Sequence, residues 1–128
     1  MTAMTNYLED NLLNHSLRNV AFTSPASVHA ALFTAAPGEG GGGTEVSGGS
    51  YARQAVTFGA PSANTTSNSA DVTYPTATAD WGTVTHVAIF DAASGGNMLF
   101  YGTLSQSKVV NTGDTFRFLS GNLSVSMN

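Results

Sequence analysis

Apolar residues fall at helical spacing only near the start of this chain. Leu8, Leu12, Leu13 and Leu17 lay one apolar stripe along about four turns. Asn6 followed by Glu9 has the spacing of a helix N-cap with a carboxylate three residues on. Arg18-Asn19 suits a C-terminus, because a cation favours the last carbonyls and Asn tolerates the left-handed conformation. The pattern predicts an amphipathic α-helical arm over residues 5–19. One helix of this length is marginal alone, so it must lie on a sheet or on a partner.

From Val20 the pattern alternates. Ser27 to Thr34 reads as a strand with Val28, Ala30 and Leu32 on one side and His29, Ala31 and Phe33 on the other. Val84 to Phe90 and Met98 to Leu104 are rich in Val, Ile, Phe and Tyr. The glycine-bearing stretch Asp91 to Asn97 joins them as a hairpin loop. Weaker strands are predicted over Tyr51 to Phe58, Asp71 to Tyr74, Thr115 to Leu119 and Leu123 to Met127. Pro75 stops the second of these or places it at an edge. Pro37 to Gly43 reads as a flexible loop and Ser62 to Ser69 as a polar linker without packing residues. Short strands at this spacing predict a mostly β, antiparallel β-sandwich, jelly-roll-like, forming a single domain over 1–128 with its N-terminal amphipathic helix.

Charge changes the picture. Only 9% of the residues are Asp, Glu, Lys or Arg, against about 25% in an ordinary soluble domain. Ser and Thr supply 30 residues, Gly 14 and Asn 10. Hydroxyls and amides are far less costly to dehydrate than ions, so such a surface suits contact between subunits. A secreted Ser/Thr/Gly-rich β-protein is the alternative on composition alone. The basic residues Arg18, Arg53, Lys108 and Arg117 are dispersed in sequence and the net charge is −4, which argues against nucleic acid as a partner. No apolar stretch approaches the ~20 residues that span a bilayer, so no membrane association is expected. The acidic opening lacks the apolar run of a signal peptide, so the protein is expected in the cytosol unless it leaves as part of a larger object. Zero cysteines exclude a disulfide framework, a thiolate metal site and a Cys nucleophile.

Candidate chemistry is thin. Gly38, Gly40 and Gly43 satisfy G-x-G-x-x-G, but Thr44-Glu45-Val46-Ser47-Gly48-Gly49 follows where a nucleotide fold needs a helix. A loop that orders against a neighbouring subunit is the functional version of that run. His15, His29 and His86 form no H-x-x-x-H pair, and no serine sits in a G-x-S-x-G elbow. Asp71, Asp80, Asp91 and Asp114 sit near strand ends, where Asp bonds the local backbone; Ca²⁺ ligation is the competing reading. Trp81 fits packing between strands, with a sugar-stacking platform as its alternative. Arg53 and Arg117 are scarce cations placed to pair with acids across an interface. No cofactor, metal or catalytic group is expected.

Three stretches carry a resemblance. They are Glu45 to Gln54 (EVSGGSYARQ), Asp80 to Asp91 (DWGTVTHVAIFD) continuing through Gly95-Gly96-Asn97 and Leu99-Phe100-Tyr101-Gly102, and Thr112 to Phe118 (TGDTFRF). With the opening Tyr7 to His15 (YLEDNLLNH) they resemble a family of small tailed-bacteriophage virion structural proteins, often labelled tail-fibre-like. The resemblance covers nearly the whole chain and implies a non-enzymatic part of a phage virion. A fibre shaft shows repeats or a long coil, and this chain has neither. The expectation is therefore a capsid decoration or cement protein, a homo-oligomer and specifically a trimer, bracing the major capsid protein. A tail or tail-fibre component with tail proteins as partners is the alternative, and a host-glycan-binding module is another. Leu8, Leu12, Leu17 and Phe22 are expected on the anchoring side, with Arg53, Trp81 and Arg117 as further interface residues. The loops Pro37 to Gly49 and Ala60 to Ser69 are expected to make subunit or particle contacts.

Overall fold

A computed structural model describes residues 2–127. Its largest element is an antiparallel sheet built around two long neighbours, β7 (Gly82–Phe90) and β8 (Met98–Val110). β2 (Val28–Ala35) lies beside β7, and β1 (Thr2–Met4) lies on the far side of β8, giving the order β1-β8-β7-β2. The other edge of β2 is shared end to end by β3 (Thr44–Glu45), opposite Phe33 and Ala35, and β4 (Gln54–Val56), opposite Val28 to Ala30. The second layer consists of two short antiparallel ladders. One pairs β5 (Thr65–Ser67) with β10 (Ser124–Ser126), and the other pairs β6 (Val72–Thr73) with β9 (Arg117–Phe118). The expected mostly β, antiparallel fold with one N-terminal helix is what the chain adopts.

The main core fills the space between these layers. The sheet contributes Ala30, Leu32, Val84, Val87 and Ile89, and the opposite layer contributes Val72, Phe116, Phe118, Leu123 and Val125. Period-two alternation puts Ala30 and Leu32 here while Ala31 and Phe33 go to the other face. Tyr74 stands at the centre, touching the rings of Tyr51, Trp81, Phe116 and Phe118. Its hydroxyl donates to Ala30 O at 2.7 Å, so this buried phenol leaves no orphaned polar atom. Burial pushes its pKa well above the ordinary value. A smaller cluster (Ala31, Phe33, Ala88, Phe90 and Met98) occupies the opposite face of the sheet.

β7 and β8 do not run in one register. His86 faces Thr103 but Val84 faces Lys108, so Thr85 alone opposes the span 104–107. The surplus backbone bulges, and Ser105, Gln106 and Ser107 are exposed. The bulge also lets Val84 and Val87, three apart, share one core.

Three expectations are corrected. The cap of α1 (Asn6–Leu17) is Thr5, not Asn6. Thr5 is the extended residue joining β1 to the helix; its Oγ1 accepts from Leu8 N at 3.4 Å and donates to Met98 O at 2.6 Å. A cap that must also bond β8 cannot be the exposed Asn6. The stretch Ser62 to Ser69 is not a bare linker, for it contains β5 and the buried Asn68. Asn68 Nδ2 donates to Ala70 O and Leu119 O, while Oδ1 accepts from Leu123 N. The amide thus adds three bonds to the backbone pairing that Asn68 already makes with Leu123 and Gly121. Pro37 to Gly43 is a formed turn in which Gly38 and Gly41 exchange both backbone bonds. Glu39 O at its tip accepts from Asn6 N at 2.9 Å.

Candidate functional site

The loops at one end of the sheet are gathered by a single cation. Arg53 Nε and Nη2 donate to the two carboxylate oxygens of Glu45, each at 2.9 Å. Its Nη1 donates to Ala92 O at 3.1 Å and Gly95 O at 2.9 Å in the β7–β8 loop. The guanidinium lies 3.7 Å from the centre of the Phe90 ring, within cation–π range. The Arg53 side chain is only 8% exposed and that of Glu45 is 26% exposed. Tyr51 completes the group: its hydroxyl donates to Glu45 Oε2 at 2.7 Å and accepts from Leu32 N at 3.0 Å. Burial by itself would raise the Glu45 carboxyl, but the hydrogen bonds from Arg53 and Tyr51 and the charge of Arg53 outweigh it and hold the pKa below its usual value. The same contact with Glu45 raises Arg53, while burial and Glu45 together push the Tyr51 phenol up. The arrangement is a clamp that fixes two loops on one sheet face. It resembles no proton-transfer site, since each member is held in its ordinary charge state.

The clamp and the glycine turn frame a cleft of about 560 Å³ with Phe33, Phe90 and Met98 among its lining and Tyr7, Glu39 and Asn97 at its sides. A second cleft, about 510 Å³, is apolar and lies between the sheet and the β5–β10 ladder, lined by Val28, Phe58, Ile89, Phe100 and Val125. A third, about 470 Å³, follows the distal half of β8 and includes Leu104, Lys108, Phe116, Arg117 and Leu123. Lys108 and Arg117, read as dispersed in the sequence, here share one groove. Only the fold could reveal that, since they come from different layers.

The acids near strand ends bond the backbone. Asp71 accepts from Ser120 N, Asp80 from Thr112 N, Asp91 from Asn97 N and Asp114 from Asn111 N, all between 2.7 and 2.9 Å. The amide of Asn97 holds the Asp91 carboxyl below its ordinary pKa. Among the described residues no three His, Cys, Asp or Glu side chains gather as metal ligands. His86 Nδ1 shares a 2.7 Å hydrogen bond with Thr85 Oγ1, and the buried Nδ1 of His29 has no partner among the described residues. No helix among them is long and apolar enough to cross a membrane.

The residues singled out from the sequence fall into three groups. Leu8 is buried against the sheet, Trp81 is buried with Nε1 donating to Gly49 O at 2.9 Å, and Arg53 is enclosed by the clamp. Leu12 and Phe22 are half-buried, the latter against Tyr7 at 6.3 Å between ring centres. Leu17 is 76% exposed and Arg117 is also exposed. The four helix leucines are therefore not one stripe. At about 100° per residue Leu8 and Leu12 point one way, and Leu13 and Leu17 point nearly opposite. Leu13, Val20, Val109 and Leu119 were not singled out as interface positions, yet each is at least 46% exposed. Contiguous apolar side chains left in water mark contact surfaces, and Leu13 with Leu17, four apart on the helix, form such a pair.

A family model described as podophage GP4 fiber I protein gp80 matches residues 3–126. A comparison with curated proteins finds no match.

Proposed function

The chain belongs to the podophage GP4 fiber I protein family, and on that premise we propose that it is a homo-oligomeric part of the tail fibre, working by adhesion rather than catalysis. Its place among phage structural proteins follows from the family, and so does its presence in the virion. The single observation that carries the fibre reading over the capsid one is that the matching family is a fibre family and that its match spans nearly the entire chain. Partners are then further copies of this chain and neighbouring tail proteins, met during assembly in the host cytoplasm.

Physical features support adhesion. With only 9% of the chain's residues charged and with Leu13, Leu17, Val109 and Leu119 exposed, the surface is inexpensive to dehydrate. Leu17 and Arg117 are free to meet a neighbour, whereas Leu8, Arg53 and Trp81 serve the chain's own fold. Gold-labelled antibody against this protein on intact particles is expected to decorate the tail. Label over the head surface would return the capsid-bracing reading and overturn this one. Sedimentation of the purified protein is expected to give an oligomer, the trimer being the expected state, and a monomer at every concentration would refute self-assembly.

A further inference from the structure

Most charged side chains of this protein are engaged within the chain, and those left over are placed unevenly. Glu45 and Arg53 pair with each other, Arg18 Nη1 donates to Asn14 Oδ1, and the four aspartates at strand ends accept backbone amides. Among the described residues, the carboxylates without a side-chain hydrogen bond or ion pair are Glu9, Asp10 and Glu39. The cations in the same position are Lys108 and Arg117. Two of the three acids sit side by side on α1, and both cations sit in one groove.

Each pair of charges accompanies apolar surface. Asp10, Leu13 and Leu17 follow the i, i+3, i+7 spacing of one helix face, and Glu9 flanks it. Leu13 is 56% and Leu17 76% exposed on the side away from buried Leu8. The groove sets its two cations beside half-buried Leu104 and the mostly covered Phe116, Phe118 and Leu123, between polar walls that include Gln106 and Asn122. Asp114 lines an adjoining cleft with both cations, but its carboxylate is already held by Asn111 N. The start of α1 flanks the Phe33–Phe90–Met98 face of the sheet, while the groove opens beside the Phe116–Phe118–Leu123 side. A chain therefore cannot fill its own groove with its own helix.

We propose that the outward face of α1 in one copy docks in the Lys108–Arg117 groove of the next, with Glu9 and Asp10 against the two cations and Leu13 and Leu17 against Leu104 and the edges of Phe116 and Phe118. This rests on the homo-oligomeric reading above and adds its contact. The two surfaces differ, so the contact is head to tail, and it closes a ring when the rotation between copies divides a full turn. Acid against cation sets the direction in which the helix lies and rejects a groove-to-groove or helix-to-helix pairing, where like charges would meet.

Charge reversal with compensation tests it. Lys108→Glu with Arg117→Glu, and separately Glu9→Lys with Asp10→Lys, are each expected to weaken association by roughly tenfold or more, and combining all four in one chain is expected to restore it. Because the protein has no cysteine, a mixture of Leu17→Cys and Gln106→Cys chains treated with a short bis-maleimide reports the same contact independently. Cross-links between the two kinds of chain are expected; cross-links confined to Leu17→Cys pairs overturn the proposal in favour of a two-fold helix contact. An oligomeric wild type whose reversal variants remain assembled overturns the docking alone. A monomeric wild type overturns the oligomeric reading as well.

Discussion

Replacing Arg53 by Met removes the guanidinium while keeping most of the stem over Phe90. Four hydrogen bonds go, two to Glu45 and two to the carbonyls of Ala92 and Gly95, together with the contact to the Phe90 ring. Breaking a buried ion pair from one side costs about 3–5 kcal/mol. Glu45 keeps Tyr51 as a donor and is a quarter exposed, so water takes back part of what Arg53 supplied. That discount brings the expected loss to about 2–4 kcal/mol. For a chain of this length each kcal/mol lowers Tm by roughly 3–6 °C, so a drop on the order of 10 °C is expected by circular dichroism at fixed protein concentration. Arg53→Lys sharpens the argument, because an ammonium keeps the charge but cannot span two carboxylate oxygens and two loop carbonyls at once. It is expected to recover less than half of the loss, and amide exchange in residues 91–97 is expected to accelerate in both variants. A Tm within about 2 °C of wild type for Arg53→Met would refute the clamp. Full recovery by Arg53→Lys would refute its dependence on the fork geometry.

Acid is expected to destabilise the fold through Glu45 and Asp91. Both carboxyls lie below their ordinary values in the folded protein, so the unfolded chain binds more protons. Their contribution is complete above the ordinary carboxylate range and is lost as pH falls through the lower folded values. Urea midpoints should therefore decline below about pH 4.5, and Glu45→Gln with Asp91→Asn should flatten that decline; an unchanged slope would contradict it. Asn68→Leu leaves Ala70 O, Leu119 O and Leu123 N without their side-chain partner and is expected to cost about 2–4 kcal/mol in chemical denaturation; a loss under about 0.5 kcal/mol would show that the amide is dispensable. At Gly49 (φ 58°) a Cβ would stand 2.8 Å from Trp81 Nε1, whereas at Gly48 (φ 75°) it would meet nothing within 4 Å. Gly48→Ala is expected to cost only the left-handed backbone penalty, about 1–2 kcal/mol, with Gly49→Ala clearly worse and with altered Trp81 fluorescence; equal losses would refute the Trp81 contact.

What the sequence disclosed follows from where periodicity is strong. β2, β7 and the first half of β8 are apolar and alternating, and their positions were legible within a few residues. β5 was not, because Thr65-Thr66-Ser67 has no apolar side chain and is held by pairing with β10 and by Asn68. The distal part of β8 was also missed: Ser105-Gln106-Ser107-Lys108 lacks strand-like alternation and extends the strand only because β7 returns opposite Val109 and Val110. Arg53 was marked as a cation of consequence, but its partner lies eight residues earlier in the same chain, on a strand too short to predict. Helical spacing grouped four leucines that the helix separates onto two sides, since counting intervals does not say which side meets the sheet. The meeting of Lys108 and Arg117 in one groove depends on β8 and β9 belonging to different layers, which no local pattern encodes.

The bond from Thr5 to Met98 spans 93 residues of chain. The segment that carries Thr5 is made well before β8 and must wait for it before it can dock, about 5–20 s at ordinary rates of translation. During that interval a 12-residue helix has little stability of its own, and all four of its leucines are bare. The helix is thus made ahead of the sheet that receives it, and its stickiest side is the one that waits for cover.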